Sequence, residues 1–148
     1  ANLSGADLSG ADLYGANLSR TTGLARELIT PLLLLVDQPG NIRLYKLVNT
    51  MYQSPIHSNK LTYKIGETYK VKNANTNPQE DCGSGINVAS LDWCLKHWRP
   101  GYHILIAEFT VADIACIPIG SDGKVRLHQC QIVGEKNIDP VKLGLVKE

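Results

Sequence analysis

The chain has 148 residues, 43% of them hydrophobic and 20% charged, the make-up of one soluble globular domain with little room for a second. Lys and Arg number 15 against 14 Asp and Glu, and a net charge of +1 argues against a protein that grips nucleic acid or an anionic membrane by charge. The longest apolar run, Leu32–Val36, falls far short of the roughly 20 residues of a spanning helix. No charged-then-apolar leader opens the chain, so the expectation is a cytoplasmic protein with no membrane association. Cysteines at 82, 94, 116 and 130 form no C-x-x-C pair and read as reduced core thiols rather than a disulfide framework.

Residues 1–20 divide without remainder into four pentads, ANLSG, ADLSG, ADLYG and ANLSR. This A-[DN]-L-x-x pattern resembles the pentapeptide-repeat family, which implies one coil of a right-handed, four-sided β-solenoid. On that resemblance Leu3, Leu8, Leu13 and Leu18 point inward, with Ala1, Ala6, Ala11 and Ala16 kept small at the tight corner. One coil buries its leucines only against a stacked neighbour. The expectation is therefore a piece of a longer array, or an open solenoid end that pairs with another molecule. The next pentad puts Gly23 on a leucine position, so the register is expected to stop at Thr21-Thr22-Gly23.

Residues 21–40 read as a helical cap and linker. Thr22 suits the N-cap of a short helix over Leu24–Ile29, and Thr30-Pro31 ends it and starts another with proline at the first position. Leu28, Ile29, Leu32, Leu33 and Leu35 are expected to lie against the coil leucines. Pro39-Gly40-Asn41 is a turn and marks the boundary.

Residues 41–148 change pattern to short strands and one helix. Arg43–Val48 reads as a strand. Leu61–Lys64 and Thr68–Val71 flank a turn at 65–67, and Lys72–Asp81 is polar loop. Ser90 suits an N-cap before Leu91, Cys94, Leu95 and Trp98, an i, i+3, i+4, i+7 stripe. Pro100-Gly101 stops that helix, Tyr102–Phe109 is a strand, and Thr110–Asp113 is a helical turn. Ile114–Ile119 and Lys124–Val133 form a hairpin across residues 120–123. There Val125, Leu127, Gln129, Gln131 and Val133 are expected on one face, and Arg126, His128, Cys130 and Ile132 on the other. The fold class is α+β, a mostly antiparallel sheet of about five or six strands with one principal helix. Asp139–Glu148 fits either an edge strand or a return to the cap.

Leu44-Tyr45-Lys46, Tyr63–Tyr69, Cys82-Gly83-Ser84-Gly85-Ile86, the strand at 103–109 and the hairpin ending Val133-Gly134-Glu135 together resemble an uncharacterised family of small phage and bacterial domains. That resemblance spans roughly residues 42–138 and implies no activity. Gly85-Ile86-Asn87 stands where that family often has Gly-Phe-His.

No nucleotide-binding, serine-hydrolase or zinc-protease motif occurs. Gly83-Ser84-Gly85 precedes a strand rather than a helix, which suits a turn and not a phosphate cradle. Cys82, Cys94, His97 and His103 have irregular spacing for zinc, and Cys94 belongs to the apolar stripe. The order of elements is similar to that of ADP-ribosyltransferases. That likeness implies NAD gripped by Arg43 and Ser90 with Glu135 orienting the ribose, although the Ser-Thr-Ser and Glu-x-Glu patterns are missing. Lys60, Lys64, Lys70 and Lys72 with Tyr63 and Tyr69 offer a basic aromatic face for nucleic acid, and edge-strand lysines equally guard against aggregation. One coil with Asp7 and Asp12 is too short to imitate DNA. The leading expectation is a non-enzymatic interaction module with no catalytic residue, cofactor or metal, meeting a protein partner or a second copy of itself. An NAD-binding relative and a weak nucleic-acid binder are the alternatives.

Overall fold

Each Ala-Asx-Leu-Ser-Gly pentad carries its own turn chemistry. The computed structural model describes residues 1–11, 16, 21–23, 30–55, 61–119 and 123–147. In it Leu3 and Leu8 accept through their carbonyls from the N–H of Ala6 and Ala11, each at 3.0 Å. Gly5 and Gly10 take φ of +76° and +73°, the left-handed conformation required at the third position of a type II turn. Asn2 Oδ1 accepts from Ser4 N–H at 3.0 Å, and Asp7 Oδ1 accepts from Ser9 N–H at 3.0 Å and from its hydroxyl at 2.6 Å. The short acceptor at the Asx position thus fixes the turn that follows it.

Four pentads on, the chain returns beside its start. Asn2 and Thr22 form a parallel bridge, with Leu3 N–H donating to Thr22 O at 2.8 Å and Thr22 N–H to Ala1 O at 2.9 Å. The ladder therefore runs past Thr21, where the pattern predicts its loss. Gly23, with φ of +74°, sits where a Cβ would run into the Ser4 backbone and lie 2.8 Å from Asn2 Oδ1. Close approach of the two strands, not a lapse of the repeat, explains the glycine. Leu13, Leu18 and the helix expected over 24–29 with Leu28 and Ile29 lie outside the described residues.

Thr30 starts the second cap segment as its sequence dictates. Its Oγ1 accepts from Leu32 N–H and Pro31 takes the first position, but the segment Pro31–Asp37 is a 3-10 helix. In that helix residues three apart eclipse, which puts Leu32 and Leu35 on one edge. Leu35 is buried in the main core of the sheet, with Leu32 and Leu33 packed on the same core. The expectation placed these leucines on the coil, and the structure seats them on the sheet.

The remainder is one antiparallel sheet with a short helix. In chain order come β1 (Ile42–Val48), β2 (Thr68–Lys70), β3 (Ile86–Ala89), α1 (Leu91–Lys96), β4 (His103–Phe109), β5 (Ile114–Cys116), β6 (Lys124–Leu127) and β7 (Gln129–Glu135). The seven strands, more than the sequence suggests, lie in the order β2-β7-β4-β1-β3-β6-β5. β1 is central because its alternation serves two cores. Ile42, Leu44 and Val48 join the larger one, and Leu47 faces α1 with Ala89, Trp93, Cys94 and Ile104. Ser90 holds the N-cap position of α1 without making a side-chain capping bond, since its hydroxyl lies against Gly123.

Three local expectations are corrected. Leu61–Lys64 is not a strand paired to β2. Thr62 makes an isolated bridge with Gln53, and Tyr69 OH reaches across to Lys64 N–H and Thr62 O. The single strand expected over 124–133 breaks at His128. The break shifts the alternation, so that Val125, Leu127, Cys130 and Ile132 all enter one core. Residues 140–146 form turns and bends rather than an edge strand.

Arg126 explains the glycines before β3. Its side chain, with 0% of the residue exposed, passes over Gly83 and Gly85, where a Cβ would come within 2.9 Å and 2.8 Å of it. Gly85 also has φ of +142°, closed to ordinary L-residues. Gly85→Ala is expected to cost about 2–4 kcal/mol, combining overpacking with backbone strain. Urea unfolding that gives less than about 1 kcal/mol contradicts this contact.

Candidate functional site

The three nominees for an NAD site do not meet. Arg43 on β1 pairs with Glu108 at 2.8 Å, and Asn41 Nδ2 donates to the same carboxylate at 2.9 Å. Glu135 lies at the other end of β4, its Oε1 2.6 Å from His103 Nδ1. Because Arg43 faces Glu108 and Val48 faces His103 in register, about 17 Å of strand separates them at the usual rise. Ser90 packs at Gly123, and its N–H donates to Gly123 O at 3.0 Å.

What Glu135 does join was not legible in the sequence. The Tyr52 ring stacks on His103 at 4.3 Å, and its hydroxyl lies 3.4 Å from Glu135 Oε2 and 3.3 Å from His103 Nδ1. Tyr52 is the one non-glycine with positive φ, +59°, among the described residues, and Asn49 Oδ1 accepts from Met51 and Gln53 N–H on either side of it. The carboxylate fixes the ring orientation of His103. Residues 49–53 supply the only local sign, an Asx turn that forces the next ring over the strand end.

The zinc set is likewise dispersed. Cys94 is on the buried face of α1 and Cys82 is exposed. Among the described residues no three His, Cys, Asp or Glu side chains gather as a metal site. The basic aromatic face is not assembled either, because Tyr63 is 4% exposed and lies beneath Lys46 Nζ at 5.3 Å. Tyr69 OH is occupied by Glu67, Lys64 and Thr62. Lys60 lies outside the described residues.

Three buried cations, Lys46 on β1 and Lys124 and Arg126 on β6, form the notable chemistry. Arg126 donates to Asn75 O at 2.9 Å, Glu80 O at 2.6 Å and Cys116 Sγ at 3.2 Å, and so straps down the polar loop of residues 72–81. Lys124 donates to Asp81 O at 2.9 Å and lies over the Trp93 ring at 5.8 Å. Lys46 donates to Asn87 O at 2.8 Å and reaches Ser54 Oγ at 3.4 Å.

Lys46 sits where β1 and β3 part. The two strands share a single register pair, Tyr45 with Ala89, and the ammonium serves the Asn87 carbonyl that a longer ladder would have used. Beside it opens a cavity of about 30 Å³ lined by Lys46, Ser54, Asn87, Trp93, Cys82 and Lys124, among others. Two of the lining residues carry a buried polar atom with no hydrogen-bond partner, Asn87 Oδ1 and Trp93 Nε1. Burial pushes the Lys46 ammonium down to about 8, with neighbouring Lys124 acting in the same direction.

Residues 1–22 match the family model of pentapeptide repeats, which describes eight copies. The rest of the chain matches no family model, so the likeness to a phage and bacterial domain family gains no match. No curated protein and no solved structure matches the chain. No helix among the described residues is long and apolar enough to cross a membrane.

Proposed function

We propose, from the premise that residues 1–22 are a pentapeptide-repeat segment, that the chain is an interaction module. In this reading the pentads form a right-handed, four-sided coil that serves as a rigid stalk. The α+β unit is the head it presents to a protein partner. The observation that supports the reading is the bridge from Asn2 to Thr22, a return after four pentads, the spacing that a four-sided turn requires.

Stacking then makes a demand. Leu3 and Leu8 stay only half-buried, and each gains roughly 1–2 kcal/mol when a further coil covers it. A second coil, of the same array or of another molecule, meets that demand. The head offers a preorganised surface rather than an adaptable one. The 72–81 loop is held by Arg126 and Lys124, and by Asx contacts from Asn75 to Asn77 N–H and from Asn77 to Gln79 N–H, so little ordering entropy is lost on contact. Four cysteines without a disulfide accord with a reducing, cytoplasmic setting.

Sedimentation of the full chain over a concentration series tests the pairing. The expected result is reversible self-association that Leu8→Asp abolishes without loss of the folded sheet signal. Association that is equally strong in Leu8→Asp places the interface elsewhere and overturns the reading.

A further inference from the structure

We propose that Lys46 is a carbamylation site, at which carbon dioxide adds to Nζ and the resulting carbamate occupies the cavity between β1, β3 and α1.

Size is the first argument. A cavity of about 30 Å³ has room for about two or three heavy atoms. The carbon and two oxygens of a carbamate match it. Nζ stands at the cavity wall, because both of its hydrogen-bond partners, Asn87 O and Ser54 Oγ, belong to residues that line the cavity.

Polarity is the second. Ser54, Trp93 and Lys124 all line the cavity, so a new anion there has the Ser54 hydroxyl as a donor and the Lys124 ammonium as a compensating charge, and Trp93 carries a buried indole N–H without a partner. The one hydrogen left on Nζ keeps its bond to Asn87 O. The unmodified state is less well matched. The groups acting on the Lys46 charge are Cys130, Cys94 and Lys124, with no carboxylate among them, so a buried ammonium stands beside another cation. Carbamylation replaces that pair of like charges by an opposite pair.

The step balances with carbon dioxide as the only co-reactant. The Nζ lone pair of the neutral amine forms the N–C bond, one C–O π pair moves onto oxygen, and one Nζ proton leaves to solvent. A buried amine whose ammonium is held down to about 8 supplies the neutral form near physiological pH.

The test equilibrates the full chain with ¹³C-labelled bicarbonate near pH 8, reads the carbamate carbon by NMR, and maps the adduct by alkyl trapping and peptide mass analysis. One carbamate per chain on Lys46 is expected at saturation, absent in Lys46→Met. Ser54→Ala drops the hydroxyl that lies on Nζ at little change in size, and lowers the affinity for the carbamate-forming carbon dioxide by about tenfold. A trapped adduct on the Ala1 amine alone, or no carbamate signal at saturating bicarbonate, overturns the proposal. The mapping on the unaltered chain decides the matter even where Lys46→Met fails to fold.

Discussion

Arg126→Met is expected to lower the stability of the chain by about 3–5 kcal/mol, because two hydrogen bonds from a charged donor to Asn75 O and Glu80 O are lost at about 1.5–3 kcal/mol each. The guanidinium donates to both Asn75 O and Glu80 O, with only the weak Cys116 thiol beside it at Asn75 O, and it replaces a hydrophobic floor that the polar sequence of residues 72–81 cannot supply. Methionine fills part of the volume and satisfies neither carbonyl. Lysine is a poor substitute, because one ammonium cannot span both carbonyls as a planar fork does. Urea unfolding reads the energy, and limited proteolysis reads the loop, with new cuts between 72 and 85 in Arg126→Met. A loss below about 1 kcal/mol, with the loop still resistant, would mean that the loop is held by other contacts.

Stability in carbon dioxide-free buffer is expected to rise with pH just above 8 and to turn over near 9. The folded Lys46 loses its proton near 8 and the unfolded lysine near 10.5. Between those values the unfolded chain holds more protons, so stability rises by about 1.4 kcal/mol per pH unit. The full contribution of the group is about 3 kcal/mol. Cys94 and Cys130 act the other way. Burial pushes their thiols up to about 12 and about 11 from an ordinary 9.0. Above that value the unfolded thiols ionise first and stability falls. Tyr63, raised by burial, adds to the decline at higher pH. Lys46→Met removes the rise and leaves the fall. Parallel curves for the two proteins between pH 8 and 9 would contradict a buried ammonium at the β1–β3 gap.

Local chemistry was legible wherever it stayed local. The pentads carry Asx acceptors, glycines and leucines at fixed offsets, and the turns follow from them. Thr30-Pro31 announces a helix start and Thr110–Asp113 a capped turn, realised as a 3-10 helix at Val111–Asp113. The misses are contacts across sequence distance. Nothing near His128 signals that the strand breaks there, since the cause is the pairing of its N–H with Asp113 O. Gly83 and Gly85 read as a turn, and the reason for two glycines is a side chain some forty residues later. Lys46 interrupts the alternation of an otherwise apolar strand face. Its place in the strand pattern carries no sign of a role, and only the gap between β1 and β3 gives it a use. His103 and Glu135 are brought together by the pairing of β4 with β7, and the turn at Asn49 lays Tyr52 over them.

The stacked coil is the centre of the account, and the methyl groups of Leu3 and Leu8 report on it most directly. Their NMR resonances are expected to shift with protein concentration, along a curve that matches sedimentation, while those of Leu47 and Ile104 in the helix-side core stay fixed. Leucine methyls at positions 3 and 8 that keep unstacked, water-exposed shifts at every concentration would contradict it.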